Sequence, residues 1–279
     1  MKVIFKFVSF IILTALVVGG YSLWIEPDLL RVKEVVVYHS LVATNPIKVV
    51  QFSDTHVGDF FTTDELQKVV DKINAQQPDL VLFTGDLIDN ASQYEGSIDE
   101  IATILSKISA KSGKYAVFGN HDYGGGAERF YEDLMESAGF EVLVNQSIDL
   151  NIHETEISLF GADDALIGYY DAKQTMQGIR EDRLNLLMLH EPDLAEDFLS
   201  YPIDLAVAGH SHGGQVYIPF YGPLLTTALA EKYVRGSYDL GTSRGTTLYV
   251  NTGLGNTKVS FRLFNVPQIT VLTIKKADL

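Results

Sequence analysis

Aspartates and histidines recur in this chain in short clusters, each placed directly after an apolar run. Asp54 and His56 follow Lys48 to Phe52, Asp86 and Asp89 follow Leu80 to Phe83, and Asn120, His121 and Asp122 follow Tyr115 to Phe118. His190 follows Leu184 to Leu189, and His210 and His212 follow Ile203 to Ala208. A His-x-His pair alone says little, because histidines also serve as ordinary hydrogen-bonding residues in cores and turns. Five clusters of one kind say more. Neutral imidazoles, carboxylates and one amide oxygen suit borderline-to-hard divalent ions such as Mn, Fe, Zn or Co. The chain has no cysteine, which excludes thiolate sites and disulfides. Three Asp, one Asn and four His are too many for a four-coordinate structural zinc. They are enough for two ions that share a carboxylate at a spacing of roughly 3.5 to 4 Å. Ions paired in this way hold phosphoryl oxygens, lower the pKa of a shared water and neutralise charge at a pentacoordinate phosphorus, which is the chemistry of phosphate ester hydrolysis.

The clusters need elements that bring them together. Thr62 and Glu65 form a capping box ahead of Leu66, Val69, Val70 and Ile73, and Ser97 and Glu100 form another ahead of Ile101, Ile104, Leu105 and Ile108. Both predict helices between the apolar runs. Strand, polar tip, helix is the grammar of a sheet covered by helices. In such sheets ligands gather at the carboxyl ends of the strands, so the five tips should converge. Further along, the pattern predicts a helix over Glu128 to Ala138 closed by Gly139, then strands near Val142 to Val144, Ile148 to Ile152 and Ile157 to Phe160. The last two alternate apolar and polar residues, as antiparallel strands do when joined by a hairpin, here at His153 and Glu154. Strands near Leu248 to Val250 and Ile269 to Ile274 complete the fold, and no internal repeat is visible. His39 and His153 fall outside the five tips and read as surface histidines without function.

Residues 7 to 25 carry no charge and follow Lys2 and Lys6. About 20 apolar residues suffice to cross a bilayer, and Tyr21 and Trp24 sit where an aromatic belt would. We read residues 1 to 25 as an uncleaved transmembrane anchor, with a cleaved signal peptide as the alternative. Lys2, Lys6 and the terminal amine, weighed against Arg31 and Lys33, place the N-terminus inside and the body outside the cytoplasm, as a single-pass protein of the cell membrane. Residues 26 to 46 then form a connector, with a β-branched run at Val35 to Val37, and residues 47 to 279 a catalytic domain. The formal charge of −15 becomes −17 without Lys2 and Lys6, so no nucleic-acid partner is expected. No Walker A loop, dinucleotide fingerprint or Gly-x-Ser-x-Gly elbow is present.

Taken in order, Asp54-Thr55-His56, Gly85 to Asp89, Gly119 to Asp122, His190 and Gly209 to His212 resemble the signature of the calcineurin-like metallophosphoesterase superfamily. The resemblance implies a four-layer α/β/β/α sandwich with two mixed β-sheets. It places Asp54, His56, Asp86 and His212 on one ion and Asp86, Asn120, His190 and His210 on a second, with Asp86 bridging. His121 and Asn120 then face the substrate, His121 as the group that stabilises the phosphoryl or protonates the leaving oxygen, and Asp89 orients His121. Asp89 alternatively reads as a carboxylate at a helix N-terminus, one turn after Asp86. Asp122 reads as a support for the site or simply as part of its loop. Phosphoprotein phosphatases carry an arginine where this chain has Asn90, which argues against that activity.

The membrane segment, the wording of Gly209 to Gln215 and the stretch from Asn251 to Pro267 are most similar to the YkuE/YaeI-like branch of bacterial membrane-associated phosphodiesterases. The expected reaction is attack of a metal-bridging hydroxide on a small-molecule or lipid-linked phosphodiester or pyrophosphate, with two Mn, Zn or Fe ions as cofactors. A phosphomonoesterase or nucleotidase is the alternative. A non-catalytic metal-binding scaffold is the alternative of another class, and its mark would be lost ligands, of which none is missing. Gly213 and Gly214 are expected to let the phosphoryl group approach the metals. Tyr123, Tyr217, Tyr221 and Arg262 read as packing or surface residues before substrate contacts.

Overall fold

The apolar runs are strands buried on both faces, which is why they show no polar alternation. A computed structural model describes residues 1–277; the last two residues of the expected catalytic domain lie outside the described residues. In chain order the elements are α1 (Lys2–Trp24), β1 (Arg31–His39), β2 (Ile47–Phe52), α2 (Thr63–Ala75), β3 (Leu80–Phe83), α3 (Ile98–Ser106), β4 (Lys114–Ala116), α4 (Asn120–Gly124), α5 (Tyr131–Ser137) and β5 (Glu141–Val142). They continue with β6 (Gln146–Ile152), β7 (Thr155–Gly161), α6 (Ala172–Thr175), β8 (Leu184–Met188), β9 (Leu205–Ala208), β10 (Tyr217–Ile218), β11 (Gly222–Pro223), β12 (Gly236–Asp239), β13 (Thr247–Val250) and β14 (Gln268–Lys276).

Two six-stranded mixed sheets result, in the orders β1-β14-β2-β3-β4-β5 and β12-β13-β9-β8-β7-β6. Val49, Leu80, Leu82 and Val117 of the first meet Leu159, Leu186, Met188 and Val207 of the second in the central core. The other face of the first sheet packs Val50, Phe52, Val81 and Phe83 under Leu66, Val70, Ile101 and Leu105 of α2 and α3. The outer layer on the second sheet is thin. Leu187, Leu189 and Ala206 pack there with Met176 just after α6, with Leu194 and Phe198 of the 3-10 stretch Pro192–Phe198, and with Tyr233.

Local chemistry explains the element ends. Both halves of the capping box form at Thr62 and Glu65. At Ser97 only one half does: the hydroxyl accepts the Glu100 N–H, while the Glu100 carboxylate accepts from the Thr63 hydroxyl at 3.3 Å instead. The helix expected from Glu128 starts only at Tyr131, because Ala127 to Phe130 close a turn in which the N–H groups of Phe130 and Tyr131 both reach the Ala127 carbonyl. The hairpin at His153 and Glu154 forms with both residues left-handed, at φ 51° and 67°, as a two-residue antiparallel connection requires.

Within the segment read as a connector, the strand foreseen at Val35 to Val37 runs the full length of Arg31–His39. It is the edge of the first sheet, parallel to β14, with Arg31 opposite Gln268. β14 in turn runs antiparallel to β2, with Thr270 opposite Gln51. β1 therefore begins at the same pole of the molecule where β2 and β3 end. α1 stands away from the body over its apolar window and is long and apolar enough to cross a membrane.

Candidate metal centre

Beyond β2 and β3 the two chains stay paired without remaining regular strands. Asp54 N–H donates to Gly85 O (2.9 Å), His56 N–H to Asp86 O (3.1 Å) and Val57 N–H to Leu87 O (2.8 Å). Asp54, His56 and Asp86 are left-handed there, at φ 52°, 44° and 61°, and so are His210 and His212, at 64° and 46°. Non-glycine residues held in this region cost free energy and cluster at functional sites. The kinks turn alternate side chains of both loops toward one point. No helix begins at Asp86: a bridge between Val57 and Ile88 keeps the segment extended, so the helix-terminus reading of Asp89 does not hold.

Six of the expected ligands form two groups, Asp54 with His56 and His212, and Asp86 with His190 and His210. All six are buried. In the second group, His190 Nδ1 lies 2.7 Å from the Thr84 carbonyl and His210 Nε2 lies 2.8 Å from the Ala228 carbonyl. Each of these nitrogens donates, so each ring turns its lone pair inward. There His210 Nδ1 and His190 Nε2 are 3.2 Å apart, with Asn120 Oδ1 and Asp86 Oδ2 each 3.3 Å from the latter. In the first group, His56 Nε2 and His212 Nε2 are 3.0 Å apart. Asp86 Oδ2 stands 3.4 Å from the first nitrogen and Asp54 Oδ1 3.6 Å from the second. Lone pairs converging in this way, with few protons to share, fit divalent cations. Asp86 Oδ2 belongs to both groups.

The electrostatics agree with that donor chemistry. Burial, reinforced by neighbouring imidazoles, pushes His210 down to about 4 and His212 well below the ordinary value, so both are neutral donors at physiological pH. Burial also pushes on His190, but the Asp86 carboxylate outweighs it and raises that ring well above its ordinary value. A metal ion competes with a proton for such a nitrogen.

Supports surround the two groups. Backbone N–H groups of Asp86, Leu87 and Gly119 all donate to the Asp122 carboxylate, at 2.8, 3.0 and 2.9 Å. Asp122 is thus the clamp that holds the Asp86 loop onto α4. Burial and the Asp86 charge nevertheless push Asp122 up to about 7. A Cβ on Gly119 would come within 2.3 Å of Asp86 Oδ1, and one on Gly209 within 2.0 Å of Ser53 Oγ, so both signature glycines make room for ligand loops. Gly213 and Gly214 differ from the expectation. Their missing side chains leave room for Asn265 and for Pro223 at φ 58° and 74°, which is backbone packing and not access for a phosphoryl group.

His121 lies at the edge of the centre, and its backbone N–H donates to Asp86 Oδ1 at 2.8 Å. Its Nδ1 donates to the Asp89 carbonyl at 2.6 Å, which leaves Nε2 as the free nitrogen. The Asp89 carboxylate sits between two rings, 3.4 Å from His121 Nδ1 and 3.5 Å from His56 Nδ1, and the His56 imidazole holds its pKa below the ordinary range. Asp89 thus stands beside both His56 and His121. A cavity of about 320 Å³ opens beside His121 and Asn120, bordered also by Asn90, Ile167 and Lys258. Lys258 escaped the sequence reading; a lone cation shortly after the Asn251 glycine-rich turn of an acidic body was the available signal. Arg262 is fully buried on four oxygens, Tyr123 bonds Asp163, Tyr217 lies under Arg235 and Tyr221 is exposed, so none of the four borders that cavity.

The calcineurin-like phosphoesterase family pattern matches residues 47–214, a stretch that includes all five tips. Metallophosphoesterase YkuE of Bacillus subtilis is 37% identical over 262 residues, which cover 93% of this chain and 90% of that protein. Phosphodiesterase YaeI of Escherichia coli is 28% identical over 233 residues, covering 82% of each. UDP-2,3-diacylglucosamine pyrophosphatase LpxG of Chlamydia muridarum is 26% identical, covering 95% of this chain and 96% of its own. The chain belongs to the calcineurin-like phosphoesterase family, whose members hydrolyse phosphoric esters at a dinuclear divalent metal centre.

Proposed function

We propose that this protein is a phosphodiesterase or pyrophosphatase acting at a membrane surface, with Asp54, His56, Asp86 and His212 holding one divalent ion and Asp86, Asn120, His190 and His210 the other. The observation that carries this reading is the pair of inward-facing donor groups meeting at Asp86 Oδ2. Mn, Zn or Fe ions there would neutralise phosphoryl charge and lower the pKa of water. Asn120 and His121 border the cavity where the ester lies. The Nδ1 bond from His121 to the Asp89 carbonyl fixes the ring, so a proton on Nε2 is aimed outward for the leaving oxygen. Lys258, at the rim, adds a positive charge toward the substrate.

The names of YaeI, a phosphodiesterase, and LpxG, a pyrophosphatase acting on a lipid-bearing nucleotide, support a diester or pyrophosphate substrate of small-molecule or lipid-linked kind. α1 supports a single-pass membrane protein, and Lys2 and Lys6 ahead of it favour a catalytic domain outside the cytoplasm; protease protection in sealed cells tests that side. The substrate test compares rates on bis-p-nitrophenyl phosphate and p-nitrophenyl phosphate for protein loaded with Mn or Zn. Faster metal-dependent turnover of the diester is expected. Preference for the monoester would replace this reading with a nucleotidase-like activity, and metal binding without hydrolysis of either would replace it with a scaffold.

A further inference from the structure

The last turn of α1 is bonded to the body near the metal centre. Ser22 is buried, and its carbonyl accepts the Arg262 N–H at 3.0 Å. The Glu26 carboxylate accepts the Asn265 N–H, and the Asn265 amide donates in turn to the His212 carbonyl. Ser22 lies inside the uncharged run, about 4.5 Å before its end at 1.5 Å per helical residue. A bilayer that covers the run therefore reaches the level of Phe261 to Asn265.

A hairpin hangs on that segment. Tyr217 N–H donates to Leu263 O at 2.9 Å, and Leu263 N–H to Gln215 O at 3.1 Å. Between and beyond these bonds, β10 and β11 hold out Phe220, Tyr221, Leu224 and Leu225, with Phe264 alongside; their exposures run from 54% to 110%. A cluster of large apolar side chains this open to water marks an interaction site. Next to it Arg31, Lys33 and Arg235 line a cavity of about 350 Å³ together with Phe264 and Asn265. Three cations are thus gathered at one place on a body of charge −17. An apolar tip with a basic collar is the chemistry of insertion into an anionic lipid interface.

We propose that the hairpin from Val216 to Leu225, with Phe264, is a second membrane contact: it seats in the headgroup region of the bilayer that holds α1, and Arg31, Lys33 and Arg235 meet anionic headgroups. The proposal rests on the reading of α1 as a membrane span. Because β1 starts at the pole where β2 and β3 end, the contact also sets the metal centre at headgroup level, where a lipid-linked phosphodiester lies.

The test uses the full chain in vesicles of phosphatidylethanolamine and phosphatidylglycerol with brominated acyl chains. Trp24 is the only tryptophan, so Phe220→Trp and Asn151→Trp are each made with Trp24→Phe. Asn151 is exposed at the opposite pole, next to the His153 hairpin. Insertion of roughly 5–10 Å should cost the Phe220→Trp protein about half or more of its emission on bromination, and the Asn151→Trp protein almost none. Flotation with the vesicles but no quenching at position 220, or equal quenching at both positions, overturns the second contact and leaves the anchor standing. Failure to float overturns both together.

Discussion

Buried aspartates with histidine neighbours occupy both poles of this molecule, and the two sets differ in what faces them. At the pole where β2 and β3 end, lone pairs of Asp54, Asp86 and four histidines face one another. At the other pole Asp79 precedes β3 and Asp204 precedes β9, and each has a full set of donors. Asp79 accepts from the Lys48 N–H (2.9 Å), Lys111 (3.0 Å) and His153 (3.2 Å). Asp204 accepts from the Asn185 N–H and Arg244, both at 2.7 Å, and from His39 at 2.9 Å. His39 and His153 are thus neighbours of buried carboxylates, with His153 itself at the surface. The same residue types make a finished clamp where donors match acceptors, and a candidate cation site where acceptors meet acceptors.

Breaking the shared acceptor should have the largest effect. Asp86→Asn is expected to lower turnover by on the order of 10³ or more, through loss of charge stabilisation, measured on protein of verified metal content. Chelation should lower the melting temperature of the wild type, because ligands bind only the native state, and should change that of Asp86→Asn far less; equal responses would erase the distinction between the poles. His121→Ala should keep both ions and lose about 10²–10⁴ in rate, with a greater loss for alkyl than for nitrophenyl leaving groups. Asp122→Ala, which removes the clamp but no ligand, should weaken metal affinity by about 10–100-fold, read by metal titration.

Asp204→Asn tests the other pole and should spare turnover while costing about 2–3 kcal/mol by denaturant unfolding. The smallest effect is with pH. Burial pushes the Asp79 and Asp204 carboxyls up, but their donors outweigh it and hold both below the ordinary carboxylate value. A folded pKa below the unfolded one gives stability that is present above the ordinary value and lost as pH falls through the folded one. Wild-type stability should therefore decline more steeply below pH ~4 than that of Asp204→Asn, in urea titrations at fixed salt.

The candidate ligands were legible because each follows a strand whose burial is written as an apolar run, and parallel strands put such ends together. The clamp at the other pole was not. Its partners, His39 with Asp204 and His153 with Asp79, are far apart in the chain and are brought together only by sheet register. The helix-terminus alternative for Asp89 fails for a local reason, since nothing in Asp86 to Asp89 reveals that Val57 pairs with Ile88 and keeps the loop extended. The thin outer layer was equally hidden: Pro192 to Phe198 contains buried Leu194, Ala195 and Phe198 but winds as a 3-10 stretch, too short to show a helical period.

The pairing of β1 with β14 also orders events during synthesis. β1 emerges just behind α1, yet its partner is the strand from Gln268 onward, so β1 waits with an open edge until that strand has been translated. Open edges invite pairing with the wrong neighbour, and charges along them discourage it. Arg31, Lys33 and Glu34 lie along this one. Contacts so distant in sequence close slowly, so docking of β14 should be a late step that completes the first sheet.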